Sequence, residues 1–144
     1  MESKEPTILY CRKGEKKLYE RIKEEEDLFR DADLKDIFIM AMVKGFLEGK
    51  RNKLDKRESG GLIRSSYLDD IDKSIIKSIV VAVEGRLDIL LDKKRVYSIA
   101  EEFASGGIKL LANEIASGEF GSYKNRLGLK LYEEAKKLKP IKIE

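Results

Sequence analysis

Leu34-Lys35-Asp36-Ile37-Phe38-Ile39-Met40-Ala41-Met42-Val43-Lys44-Gly45-Phe46-Leu47-Glu48 sets apolar side chains on almost every side of a helix. A helix at a protein surface carries one apolar stripe, whereas one that is apolar all round must be enclosed by protein. This segment is therefore either the central helix of a helical domain or the seam of a homodimer, with Ile37, Met40 and Phe46 as its contact residues. Its start is marked by Asp33, an N-cap residue followed three positions later by Asp36, where a carboxylate suits both the capping box and the helix dipole. Gly45 and Gly49 lie four apart and suit a close helix approach, but Gly49 directly before Lys50 reads better as a C-cap.

On the N-terminal side, Thr7 to Cys11 is rich in strand formers and is closed by Arg12, Lys13 and Gly14. From Glu15 to about Glu26, Leu18, Tyr19 and Ile22 recur at helical spacing, with Leu28 and Phe29 covering the end of that helix. On the C-terminal side, Lys50 to Ser66 has no apolar period and is too long for a simple connector. A third helix opens at Tyr67 to Asp72, with Asp69, Asp70 and Asp72 at its positive end and Ile71, Ile75, Ile76, Ile79, Val80 and Val83 as its buried face, and ends near Gly85. Leu87 to Leu91 forms a short helical turn. Val96, Tyr97, Ile99, Ala100 and Phe103 mark a fourth helix that stops at Gly106 and Gly107, and Ile108 to Ala116 a fifth, with Leu111 and Ile115 in step. Tyr123 to Lys139, with Leu127, Leu131, Tyr132 and Leu138, is a last helix weakened by Gly128 and ended by Pro140. The expected fold is mainly α: a single domain over 1–144 of five to six helices, with one short N-terminal strand, a basic loop at 50–66 and a separable C-terminal helix at 123–139.

A chain of 144 residues can bury a continuous core without disulfides or metals. It is 42% hydrophobic and 40% charged, too apolar for disorder and too charged for a membrane. Met1 to Pro6 lacks the apolar core of a signal peptide, and no apolar run approaches the ~20 residues that cross a bilayer, so a cytoplasmic protein is expected. There is no histidine and one cysteine, Cys11, which excludes histidine-dependent triads, Cys/His zinc sites and an internal disulfide. Cys11 reads as a packing residue. The pattern of acid, one residue, lysine that metal-dependent nucleases use occurs at Glu15/Lys17, Asp33/Lys35, Asp92/Lys94 and Glu134/Lys136, all on predicted helices or turns, as chance gives in so charged a chain. Helix capping explains Asp69, Asp70 and Asp72 without a metal, and no phosphate loop precedes Lys50. The reading is a protein that is not an enzyme and takes no cofactor or metal.

Charge is concentrated in one place. Lys50 to Arg64 holds six basic residues, Lys50, Arg51, Lys53, Lys56, Arg57 and Arg64, against Asp55 and Glu58, a local +4 in a chain of net +3. Interleaved with Asn52, Ser59, Ser65 and Ser66, and loosened by Gly60 and Gly61, these residues suit phosphate contacts, with arginines able to reach base edges. A solvated surface loop is the plainer alternative. Strand, helix, helix is also the order of ribbon-helix-helix DNA-binding proteins, although neither Thr7/Leu9/Cys11 nor Ile8/Tyr10/Arg12 makes a clean polar reading face.

Leu28-Phe29, then Leu34-Lys35-Asp36-Ile37-Phe38 to Lys44-Gly45-Phe46, Gly49-Lys50-Arg51 and Ile63-Arg64-Ser65 resemble the small protein family numbered four among those associated with the Dnd system. Leu87-Asp88-Ile89-Leu90-Leu91, Ala100-Glu101-Glu102-Phe103-Ala104 and Gly106-Gly107 are similar as well. The resemblance runs from about Leu18 to Ile115, leaving Tyr123 to Glu144 outside. It implies a small accessory protein encoded beside the DNA phosphorothioation and restriction systems of bacteria and archaea, in which other proteins exchange oxygen for sulfur. Proteins of that system are the partners it implies, beside the duplex DNA that the basic segment suits, and it carries no active site onto these residues.

Overall fold

Asp36 accepts the backbone N–H of Asp33 at 3.1 Å and so closes the first turn of α2 (Leu34–Glu48), while Gly49 ends it in the left-handed conformation. The computed structural model describes residues 4–25, 33–117, 130–133 and 135–137. Of the two fates open to the apolar helix, the chain itself supplies the cover. Ile37, Phe38, Ala41 and Met42 are fully buried against α1 (Lys16–Glu25), α3 (Asp70–Glu84) and α4 (Lys93–Ser117). Tyr19 and Ile22 of α1, Ile76 and Val80 of α3, and Ile99, Phe103, Ile108 and Leu111 of α4 complete this core. Ile37 thus lies wholly inside the chain, while Met40 and Phe46 are half-buried, Phe46 meeting Phe103 edge-on at 5.9 Å.

The expected break at Gly106 and Gly107 does not occur, and α4 runs through them as one 25-residue helix. Glycine stands there because α2 and the chain after it press directly on α4. A Cβ on Gly107 would lie 1.8 Å from the carbonyl oxygen of Ala41, one on Gly106 2.1 Å from that of Lys50, and one on Gly45 2.1 Å from that of Phe103. Such backbone proximity is what a missing side chain permits. In sequence a glycine pair resembles a helix stop, and only the partner helix shows it to be a contact.

The N-terminal strand has a partner that periodicity did not reveal. β1 (Ile8–Leu9) pairs antiparallel with β2 (Ile63–Arg64). The ribbon continues through Glu58 N–H to Cys11 C=O at 2.9 Å and Lys13 N–H to Lys56 C=O at 2.8 Å. The strand is therefore spent within its own chain, unlike that of a ribbon-helix-helix dimer. A 3-10 turn at Ser65–Tyr67 precedes α3, which starts at Asp70 rather than Tyr67, and Ile71 is 71% exposed instead of facing the core. The C-cap at Gly85 and a 3-10 turn at Leu87–Leu91 fall where expected. Residues 130–133 and 135–137 are helical, while Leu28, Phe29 and the rest of the helix expected at 123–139 lie outside the described residues. The chain is mainly α, and among the described residues no helix is long and apolar enough to cross a membrane.

Candidate functional site

The six basic residues of Lys50 to Arg64 do not form one patch. Arg51 gives its Nε–H to Glu102 at 2.7 Å and lies over the Phe103 ring at 5.2 Å, while Asn52 donates its backbone N–H to the Glu102 carbonyl at 3.1 Å. Arg57 lies over the Tyr10 ring at 4.8 Å and stands 3.9 Å from Glu101. These two arginines brace the segment against α4. Lys50, Lys53, Lys56 and Arg64 are exposed and form no ion pair among the described residues. Lys50 follows the C-terminus of α2, whereas Arg64 shares a groove with Leu34 at its N-terminus. The segment thus spans the length of α2, ~22 Å for fifteen residues.

A different set of cations does come together. The ribbon places Lys13 opposite Lys56. The adjoining α1 carries Lys16 and Lys23, seven residues apart and so on nearly the same face. Both line a groove of about 640 Å³ with Lys35, Arg64, the Gly60-Gly61 backbone and Tyr67, which is 62% exposed. Asp33 is the one carboxylate among its lining residues. Lys35 is partly neutralised by Asp72 at 2.6 Å and Asp69 at 3.4 Å. Those aspartates also form the α3 capping box, with Asp72 N–H on Asp69 at 2.8 Å and Asp69 N–H on Asp72 at 3.0 Å. Among the described residues no three of His, Cys, Asp and Glu converge as metal ligands. Periodicity could not find Lys13, Lys16 and Lys23, because each belongs to an ordinary polar helix face or turn.

On the other edge of the ribbon lie two buried carboxylates that composition hides. Glu15, 4% exposed, accepts the Arg12 N–H at 3.0 Å and the Ser105 hydroxyl at 2.8 Å. Burial raises its carboxyl above the ordinary range. Glu101, also 4% exposed, accepts the Tyr10 N–H, and burial lifts it from 4.5 to about 7 against the opposing pull of that hydrogen bond and of Arg57. It lines a cleft of about 590 Å³ between residues 4–10 and the first turns of α4. Tyr97 donates its hydroxyl to Glu5 at the same cleft. Cys11 is buried, and burial together with Glu15 and Glu58 pushes its thiol up to about 12, so it offers no thiolate. The legible signal for the carboxylates was the run Ala100-Glu101-Glu102-Phe103-Ala104-Ser105-Gly106-Gly107: a helix with small residues all round is enclosed, and acids within it need partners.

No curated protein and no solved structure matches this chain. One protein family does, across residues 11–142, which takes in the C-terminal segment from Tyr123 that the resemblance had left outside. That family is associated with a DNA sulphur modification system, in keeping with an accessory role. By this match over most of its length, the chain belongs to the family of DNA sulphur modification system-associated protein 4.

Proposed function

We propose that the protein is a non-catalytic accessory component of a DNA sulphur modification system and holds duplex DNA by its phosphates. The observation that carries this reading is the groove that gathers Lys16, Lys23 and Arg64, with the exposed Lys13 and Lys56 opposite each other on the ribbon that α1 follows. Exposed lysines and arginines meet phosphates through counterion release, and Tyr67 at the groove edge adds a flat surface for a sugar or base. Lys50 and Lys53 extend the positive surface beyond α2, while Arg51 and Arg57 act through the fold. Anisotropy on labelled duplex DNA, plain and phosphorothioated, over a salt series tests it. The combined Lys13, Lys16, Lys56 and Arg64 to Ala variant should lower affinity and flatten the log–log salt slope by about 0.9 for each phosphate that is no longer neutralised. Unchanged affinity and slope would refute the reading, and preference for the sulfur-bearing duplex would tie binding to the modification.

A second reading, docking of another copy or of a protein of the same system, is favoured by one feature. A shallow apolar groove of about 500 Å³ separates α2 from α3, with Leu47 73% and Ile71 71% exposed at its sides. Light scattering of the wild type and of Leu47→Asp checks it: a monomer in both removes self-association.

A further inference from the structure

The two oxygens of Glu101 are unequally satisfied. Oε2 takes the Tyr10 N–H. Oε1 lies 3.9 Å from the nearest Arg57 nitrogen, outside hydrogen-bond range, and accepts no hydrogen bond among the described residues. Arg57 is meanwhile engaged over the Tyr10 ring. The Tyr19 hydroxyl, not Oε1, is the described side-chain atom buried without a partner, so Oε1 is an accessible acceptor, and Glu101 lines a cleft large enough for a small organic molecule. Pro6, Ile8 and Tyr97 give the cleft apolar walls, and Lys4, Lys94 and Arg95 give it cations, Arg95 sharing its charge with Glu84 at 3.5 Å; of its other two acids, Glu5 is engaged by the Tyr97 hydroxyl and by Lys73 at 3.5 Å, and Asp92 accepts the Arg95 N–H at 3.1 Å.

These features together restrict the ligand. The carboxylate repels a simple anion, and the cations repel a simple amine. A molecule that satisfies both is flat, offers N–H donors at one end and carries an anion at the other. We propose that the cleft binds a nucleotide, with the amino edge of its base on Glu101 and its phosphate on Lys94 and Arg95. Cytosine presents an N4 amino group to a glutamate, whereas thymine flanks its single N–H with two carbonyls that oppose a carboxylate. The nucleotide is either free or a unit of a DNA strand turned out of its stack, and the second source rests on the DNA-binding reading above.

Calorimetry on the full chain at pH 8, where Glu101 is ionised, with dCMP, dTMP and short oligo-dC and oligo-dT separates the cases. Expected is binding of dCMP about tenfold or more tighter than dTMP, a preference that Glu101→Gln abolishes, and equal weakening of both nucleotides by Lys94→Ala/Arg95→Ala. Should Glu101→Gln fail to fold, the Lys94/Arg95 variant and the amide NMR shift of Tyr10 on dCMP addition still report on the cleft. Preference for oligo-dC as well as dCMP identifies the strand as the source; dCMP alone identifies the free nucleotide. Absence of nucleotide binding, or equal affinity for dCMP and dTMP, overturns the inference. If duplex binding persists in that outcome the phosphate-contact reading stands, and if nucleotides bind while duplex does not, that reading falls alone.

Discussion

Replacing Glu101 by Gln should change how stability depends on pH, with a sign that the structure fixes. Burial, opposed by the Tyr10 N–H and Arg57 and reinforced by the neighbouring Glu102, holds this carboxyl at about 7 in the folded chain, against 4.5 for an ordinary glutamate. The folded state therefore keeps its proton where the unfolded state has released it. Stability from this group is fully present below pH 4.5 and is lost as pH rises through about 7. A carboxyl moved that far contributes roughly 3 kcal/mol in all, most of which disappears between pH 5 and pH 8. Gln is neutral throughout and has no such loss. Urea denaturation of both proteins at a series of pH values, with the variant subtracted from the wild type, isolates the group from every other titration. The wild type should lose ground on the variant by that amount as pH rises. A difference that stays flat, or grows in favour of the wild type, would show that Glu101 is not held protonated by burial.

Gly107→Ala places a methyl 1.8 Å from the Ala41 carbonyl, so α2 and α4 must separate; despite a gain of about 1 kcal/mol in helix propensity, a net loss of about 3 kcal/mol is expected by urea titration, and wild-type stability would contradict the close approach of the two helices. Arg64→Ala should lower the salt slope of duplex binding by about 0.9, whereas Arg51→Ala should leave that slope alone and cost about 1 to 3 kcal/mol of stability, because Glu102 loses a partner at 2.7 Å. Equal effects of the two substitutions on the slope would contradict the division between groove cation and brace. Asp69→Ala removes the acceptor of the Asp72 N–H at the α3 N-terminus and should lower stability by about 1 kcal/mol in thermal unfolding.

Most helices could be read from local signals because their causes are local. Asp33 and Asp69 start α2 and α3, Gly49 and Gly85 stop them, and an apolar period fills the space between. The enclosed character of Ile37 to Met42 followed from composition alone. What could not be read was set by contacts distant in sequence. Gly106 and Gly107 carry a stop signal in isolation, and only the carbonyls of Ala41 and Lys50 make them a contact surface. β2 is two residues between Gly61 and a 3-10 turn, too short to show a period, and exists because β1 is beside it. The same limit applies to the site. Charge density picked out Lys50 to Arg64 as a run, but the fold engages Arg51 and Arg57 with α4 and brings Lys16 and Lys23 into one groove with Arg64.

The buried acids have one physical explanation that joins both sides of the ribbon. Odd-numbered residues from Thr7 to Lys13 turn their backbone groups toward β2 and the segment before it, as the bonds to Leu9, Cys11 and Lys13 show. The N–H groups of Tyr10 and Arg12 then face the other way, into the protein, where a third strand would ordinarily receive them. No strand is there among the described residues. Glu101 receives one and Glu15, itself held by Ser105, receives the other, so two carboxylates stand in for a strand and fasten the ribbon to α4. A backbone strand would be indifferent to pH and would leave no acceptor over. Side chains in that position titrate, and a carboxylate that has spent one oxygen on the ribbon still presents the other to the cleft. The device that attaches the ribbon to the core is thus also the source of the unpaired acceptor beneath it.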